Sequence, residues 1–476
     1  MPCTTILIGK KASYDKTTLM ARNEDSGYNT FDPKKWIVVT PDKQPKHYKS
    51  VLSSFEIDLP DCPMRYTAMP NAIEDEGIWA EAGFNEKNVA MSATETITSN
   101  PRVLGADPLV LSGIGEEDML TLVLPYISSA REGVLRLGSM LEKYGTYEMN
   151  GIGFQDEDEI WWLETIGGHH WIAKKVPDNC YVVMPNQQGI DFFDMIDAYN
   201  KQKEHMCSVD LISFIEDNNL DVCFDETPVS QRANLNTRAI FGSHRDYDHL
   251  YNTPRAWYME KILNPSTIQD PESDTLPWSM TPEKKVTIED IKYILSSYYQ
   301  GTPYNIYAHN SDKNYRPIGI NRNNFVAITQ IRKHVPAELK TVEWIAMGCN
   351  AFNGMTPFYA NVTDTPAYLK DTNGRVTTES FYWANRLIGA LVDAHYASCM
   401  VYIDKYKQET LASGHAFLKH VDQKYMKEKP EDVQKYLEMC NNKMADHLKE
   451  LTLNLLNDVL RISSLEMKNR FSRSDA

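Results

Sequence analysis

A chain of 476 residues has room for two to four ordinary domains, or for one large domain with elaborations, and can bury a substantial core. Its 65 acidic side chains against 49 basic ones leave a formal charge of −16, a surface that repels phosphate backbones and anionic lipid and so excludes nucleic acid and membranes as expected partners. The apolar content of 42%, with 15 Phe, 26 Tyr and 9 Trp, is too rich for a disordered chain, and no apolar run reaches the ~18–20 residues of a membrane helix.

From the N-terminus, the apolar stretch Thr4–Gly9 is short and has no basic region before it, so it does not read as a secretory signal, and a cytoplasmic location is expected. Short β-branched or aromatic runs bounded by turn residues predict strands at Thr4–Ile8, Leu19–Arg22, Trp36–Thr40, Val89–Ser92, Trp171–Lys175 and Tyr181–Met184. Between them Glu116–Tyr144 carries apolar residues at three-to-four spacing and predicts a helix bent at Pro125. Helices follow at Thr253–Leu263 and Ile288–Tyr299, and strands at Phe325–Ile331 and Val342–Met347. Ser380–Leu411 and Glu431–Leu460 are long helix-like stretches without proline, separated by a linker at Lys427–Pro430. Strand and helix blocks alternate in groups, which predicts an α+β arrangement of stacked layers.

Eight cysteines, at positions 3, 62, 180, 207, 223, 349, 399 and 440, are scattered without a CxxC pair. That pattern suits a reducing compartment and speaks against a zinc ribbon or a disulfide framework. Cys3 stands apart. As an N-terminal residue it would carry both nucleophile and base, a thiol with an ordinary pKa of about 8.5 and an α-amine with one of about 7.7–8.0. No histidine is then required. The alternative is a buried residue on an edge strand. Arg22-Asn23-Glu24-Asp25 follows the second predicted strand and sets a guanidinium and a carboxylate three residues apart, which lowers a thiol pKa and orients an amine, or else forms a solvated turn.

Other clusters carry less. His244-Arg-Asp-Tyr-Asp-His249 has the composition of a metal site. His169 and His170, adjacent in a predicted strand, are expected on opposite faces and unable to share one ion. Gly113-Ile-Gly115, followed by Glu-Glu-Asp, is a poor phosphate cradle.

The runs Cys3-Thr-Thr-Ile-Leu-Ile-Gly, Ala21-Arg-Asn-Glu-Asp25 and Gly83-Phe-Asn-Glu-Lys-Asn-Val-Ala-Met-Ser-Ala-Thr-Glu95 resemble the dipeptidase A family of lactic acid bacteria, which belongs among the N-terminal nucleophile hydrolases. The resemblance continues through Leu163–Trp171, Val183–Gln187, Tyr251–Trp257, Trp344 and Pro357–Tyr359, and so covers most of the chain. It implies a four-layer αββα core with two central antiparallel sheets, spanning 1–370 with insertions, and additional C-terminal helices over 371–476 packed on it. Cys3 is then the nucleophile, Arg22 and Asp25 its activating partners, Asn186 the oxyanion-hole amide and Arg255 a second active-site arginine. Neither metal nor cofactor is implied. The expected substrates are dipeptides, and assembly into a homo-oligomer is compatible with the family.

The wider group includes penicillin V acylase and bile salt hydrolase, and Glu95 is where this chain departs from those acylases, which align an asparagine there. A carboxylate at that place suits the α-ammonium of a peptide, with a solvent-facing strand residue as the competing reading. Two rival functions follow: an acylase for non-peptide linear amides, and a non-enzymatic binding protein of the same fold. The second turns on Pro2. Loss of Met1 alone leaves Cys3 acylated, and an amide nitrogen is no base, so the mechanism expects the Pro2–Cys3 bond to be cleaved as well.

Overall fold

The structure is a computed structural model that describes residues 3–73, 76–80, 82–308 and 315–471, with the side chains of residues 93–95 outside the description. The sequence is α+β. Two large antiparallel sheets organise it. The seven-stranded sheet runs, in spatial order, Ser279–Met280, Tyr181–Met184, Cys3–Ile8, Thr18–Asp25, Asn323–Ile331, Thr341–Met347 and Thr356–Tyr359. The six-stranded sheet runs His205–Cys207, His170–Lys175, Ile160–Ile166, Met149–Gln155, Ala90–Ile97 and Ala82–Phe84.

Every residue of Cys3–Ile8 and Thr18–Asp25 is buried, because these strands are central and covered on both faces. On one face Leu7 and Met20 share an apolar cluster with Ala90, Trp162 and Ile172 of the six-stranded sheet. The two sheets approach closely at Gly153, where an added Cβ would stand 2.5 Å from the Met20 sulfur and 3.6 Å from Leu7 Cδ2. On the other face Ile6, Ala21 and Ile328 pack with Tyr258, Ile291 and Leu418, from helices Thr253–Leu263, Ile288–Leu295 and Tyr396–Glu428. The six-stranded sheet's outer face buries Ile152, Trp161 and Leu163 against Leu120 and Leu137, from helices Glu116–Val123 and Ala130–Tyr144.

Several elements differ from expectation in their breaks. The bent helix over Glu116–Tyr144 is two helices, parted by a 3₁₀ turn at Leu124–Tyr126 that holds Pro125, and the second starts where the Ser129 side chain accepts from the Glu132 N–H. The stretch Ser380–Leu411 is divided at His395 into Phe381–Ala394 and Tyr396–Glu428, a break that no proline or glycine marks. The linker lies close to where it was expected: Lys429 closes one helix in the left-handed region at φ 45°, and Asp432 caps Val433–Leu465 by accepting from the Lys435 N–H. The helix at Ile288 ends at Leu295 instead of Tyr299. The central strands Met149–Gln155 and Ile160–Ile166 were not among those expected, since Gly151 and Gly153 interrupt the apolar alternation of the first.

Candidate active site

Antiparallel register sets Cys3 opposite Glu24 and Thr5 opposite Arg22, so Cys3 and Arg22 are diagonal neighbours on one face of the sheet. The contact follows: an Arg22 Nη2 N–H points at the Cys3 sulfur, and both side chains are buried. A guanidinium in that place favours thiolate over thiol.

Asn186 lies just beyond the strand Tyr181–Met184, the neighbour of Cys3–Ile8. Its Oδ1 accepts from the Cys3 backbone N–H at 3.1 Å and from Arg255 Nη2 at 2.8 Å. Two donors on that oxygen settle which end of the amide is which. The buried Nδ2 has no partner among the described residues. A buried amide whose acceptor is clamped and whose donor is unspent is a preorganised donor for a developing negative charge.

Arg255 reaches the site from the first turn of Thr253–Leu263, where Pro254 occupies an early position that needs no N–H. Besides Asn186 it donates to the Cys3 carbonyl, to Thr4 Oγ1 at 2.7 Å, to Asn252 Oδ1 at 2.6 Å and to the Tyr251 carbonyl at 2.8 Å. It is fully buried, and it braces the Cys3 backbone together with the Asn186 amide.

Asp25, at the end of the second strand, commits its carboxylate to Arg316 and Asn323. Asn323 is held in turn by Arg386 of the helix Phe381–Ala394, which donates to its carbonyl at 2.5 Å. The helix Phe381–Ala394 thus buttresses this corner of the site. Glu24 pairs with Lys34 at 2.7 Å, both side chains fully buried.

Three residues that sequence reasoning gave no role stand here as well. Arg316 is buried, and burial lowers its pKa to about 9, with Arg322 acting in the same direction and the Cys3 thiol opposing. The Tyr251 ring is approached by both Arg255 and Arg316, whose guanidinium carbons sit 5.1 and 5.3 Å from its centroid. Arg322 donates to the Tyr251 hydroxyl at 3.2 Å and to the Ser26 carbonyl at 2.9 Å. Arg316 and Arg322 are far from Cys3 in sequence and fall in no motif with it, so only the fold could find them. Tyr251 begins the run Tyr251–Trp257 that also holds Arg255, and an aromatic ring close in sequence to that candidate arginine was the signal available.

Glu95 lies in the strand Ala90–Ile97, in register with Gly151 just past an irregularity after Ala93. Its side chain lies outside the described residues. The two histidines of the other candidate cluster have separate partners: His249 Nε2 meets Asp274 Oδ1 at 2.9 Å and His244 Nε2 the Ala239 carbonyl at 3.3 Å. Among the described residues no group of three or more His, Cys, Asp or Glu side chains is placed to hold a metal. The expectation for His169 and His170 is corrected. The strand starts only at His170, and the turn before it, with Gly167 at φ +57°, lets both rings converge on Asp107, at 2.9 and 2.7 Å.

The chain is 54% identical to the "Probable dipeptidase A" of Streptococcus pyogenes serotype M3 (strain SSI-1) and 50% identical to the "Dipeptidase" of Bifidobacterium longum (strain NCC 2705), with 100% of both chains covered in each case. It is 43% identical to the "Dipeptidase A" of Lactobacillus helveticus over 96% of each chain. Among solved structures, penicillin V acylase from Agrobacterium tumefaciens aligns over 78% of this chain and 89% of its own at 13% identity and a TM-score of 0.33, too weak a likeness to bear on the site. The pattern of peptidase family C69 matches residues 2–409, a span that takes in Cys3, Arg22, Asn186, Arg255 and Arg316 together. With a family pattern over most of its length and relatives matched from end to end, the chain belongs to peptidase family C69.

Proposed function

We propose that this enzyme is a cysteine dipeptidase that works through an N-terminal Cys3 and a thioester intermediate, on a four-layer αββα frame of the N-terminal nucleophile type. The observation that carries the reading is the Asn186 amide, whose oxygen is held by the Cys3 N–H and Arg255 while its buried Nδ2 is left to donate. The relatives' names supply the substrate class.

Catalysis begins with Met1 and Pro2 removed and the Cys3 nitrogen a free amine. The amine takes the thiol proton, with Arg22 stabilising the thiolate beside it. Sulfur attacks the scissile carbonyl carbon, and Asn186 Nδ2 donates to the oxyanion. As the C–N bond breaks, the ammonium of Cys3 returns its proton to the leaving amino acid, and the first residue stays on sulfur as a thioester. A water molecule, deprotonated by the same amine, then attacks the thioester and releases that residue, and the thiol is restored. Asp25 acts by fixing Arg316 and Asn323 at the end of the Cys3–Arg22 strand pair. Glu95 pairs with the substrate's α-ammonium. The eight scattered cysteines, without a CxxC pair, suit the reducing cytoplasm where this reading places the enzyme.

The test is a panel of dipeptides, with intact mass measured on the same preparation. Hydrolysis by protein that begins at Cys3, lost in Cys3→Ala, is the expected result. Full activity in protein that retains Pro2 overturns the mechanism.

A further inference from the structure

The proposed chemistry leaves one end of a dipeptide without a partner. The oxyanion amide takes the scissile carbonyl and Glu95 the α-ammonium, yet an enzyme confined to dipeptides must also read the free carboxylate that follows the scissile bond. Standard bond lengths put that carboxylate only about 4–5 Å beyond the scissile carbon, so its partner must lie beside Cys3.

The spatial order of the strands shows which side is open. Cys3–Ile8 lies between the strand leading to Asn186 and the strand ending at Asp25. Asn186 and Arg255 occupy the first flank, where Arg255 and the Asn186 Oδ1 are engaged with Cys3 and with each other, and the Asn186 Nδ2 is reserved for the oxyanion. Arg316 and Arg322 occupy the second flank. Arg316 spends Nη2 on Asp25 and Nη1 on the Pro317 carbonyl at 2.9 Å, but its buried Nε has no partner among the described residues. Arg322 spends Nε on Ser26 and Nη2 on Tyr251, and its third nitrogen makes no hydrogen bond among the described residues. Tyr251 packs under Arg316 and accepts from Arg322, so one ring fixes both.

These neighbouring cations keep donors in reserve beyond their structural partners, and the single carboxylate of Asp25 does not balance them. An incoming carboxylate would. Arginine's planar fork suits that ligand better than lysine's point charge.

We propose that Arg316 and Arg322, aligned by Tyr251, form the station for the substrate's C-terminal carboxylate and so confine hydrolysis to peptides with one residue beyond the scissile bond. This rests on the dipeptidase reading and deepens it. A longer peptide or a C-terminal amide presents a neutral group there and leaves both guanidinium groups unanswered.

Two measurements keep this separate from the dipeptidase reading. In the first, a free dipeptide and its C-terminal amide are compared in wild type, Arg322→Gln and Arg316→Gln, each checked for folding by thermal melting. Wild type should prefer the free dipeptide about 100-fold in kcat/KM, chiefly through KM, and Arg322→Gln should cut that preference about 10-fold or more. A wild type without the preference, or an Arg322→Gln that keeps it whole, overturns the station.

The second needs no turnover: Cys3 is alkylated with anionic iodoacetate or neutral iodoacetamide. The rate ratio of iodoacetate to iodoacetamide should fall about 10-fold in Arg322→Gln and with added salt. An unchanged ratio overturns the station even if dipeptides are turned over. A lowered ratio in an enzyme that cleaves no dipeptide supports the station and removes the dipeptidase reading instead.

Discussion

Asn186 offers the sharpest test of the site, because its two ends do different work and can be altered separately. Asn186→Asp keeps an oxygen where Oδ1 accepts from the Cys3 N–H and Arg255, and replaces the Nδ2 donor with a second acceptor that repels an oxyanion. Loss of one oxyanion donor costs about 10²–10³ in kcat, and the added repulsion makes that a lower bound. The fold should hold within about 1 kcal/mol, since the new charge faces Arg255. Asn186→Ala removes the same donor but also strips the acceptor from two buried N–H groups. Arg255 Nη2 retains Asn252, so the Cys3 nitrogen bears most of the loss, about 1–3 kcal/mol. Both variants should therefore lose at least that much rate, Asn186→Asp no less than Asn186→Ala, and they should separate in stability. Burst and steady-state kinetics on a good dipeptide measure the first, and urea titration the second. A folded Asn186→Asp with kcat within ten-fold of wild type would show that the oxyanion is held elsewhere.

Cys3→Ala should abolish turnover with little effect on the melting temperature, and Cys3→Ser should be far weaker than wild type, while replacing Cys62 or Cys180 should leave the chemical step nearly intact; substantial activity in Cys3→Ala defeats the thioester route. EDTA should leave activity unchanged and thiol alkylation should eliminate it, and the opposite pair of outcomes would return attention to His244 and His249. Glu95→Gln should lower kcat/KM on free dipeptides about ten- to a hundredfold, as a charge-assisted hydrogen bond of about 1.5–3 kcal/mol implies, but change hydrolysis of an N-acetylated dipeptide little. Equal losses on the two substrates would leave Glu95 structural. Glu343 is fully buried, donated to by Trp36 Nε1 at 2.7 Å and Thr67 at 3.2 Å, and burial outweighs these bonds to raise its pKa to about 7. Folding then holds its proton more tightly than unfolding, so its contribution is whole below about pH 4.5 and lost as pH rises through about 7, at up to about 1.4 kcal/mol per pH unit. Glu343→Gln should flatten the wild-type decline in stability across that window, and an unchanged slope would assign the decline to other groups.

What could be read from the sequence divides along a physical line. Local patterns were legible: Tyr181–Met184 and Thr253–Leu263 have the bounds that their apolar runs indicate, because the strand is covered on both faces and the helix starts at Asn252 and Pro254. The diagonal of Cys3 and Arg22 was half legible, since two adjacent strands joined by a short connection must pair antiparallel and set their ends together. The break at His395 was not, because no proline or glycine there marks it. The same holds for the paired histidines. Alternation along a strand puts neighbours on opposite faces, but His169 lies in the turn, where the rule does not apply.

The surface and the site also carry opposite charge, and no composition predicts that. A net charge of −16 makes the whole molecule repel anions, yet Arg22, Arg255, Arg316 and Arg322 gather around one thiol, with Asp25 the carboxylate in their midst and Glu24 answered by Lys34. Burying that much like charge is costly, and burial depresses the pKa of Arg316. A fold tolerates such a cluster where it is answered by a ligand or by the chemistry it enables. In the proposed mechanism a thiolate answers one guanidinium and an oxyanion relieves the region during attack, but both form on the Asn186 flank of Cys3 or at its sulfur. The Arg316–Arg322 flank, with the one carboxylate of Asp25 against two guanidinium groups, keeps an excess of positive charge until an anion arrives. A dipeptide brings one at the required distance, whereas a longer peptide carries its carboxylate at least one residue, about 3.5 Å, further out, beyond the reach of side chains pinned by Asp25, Ser26 and Tyr251. On the proposed reading, the size limit of the substrate is set by charge and reach together.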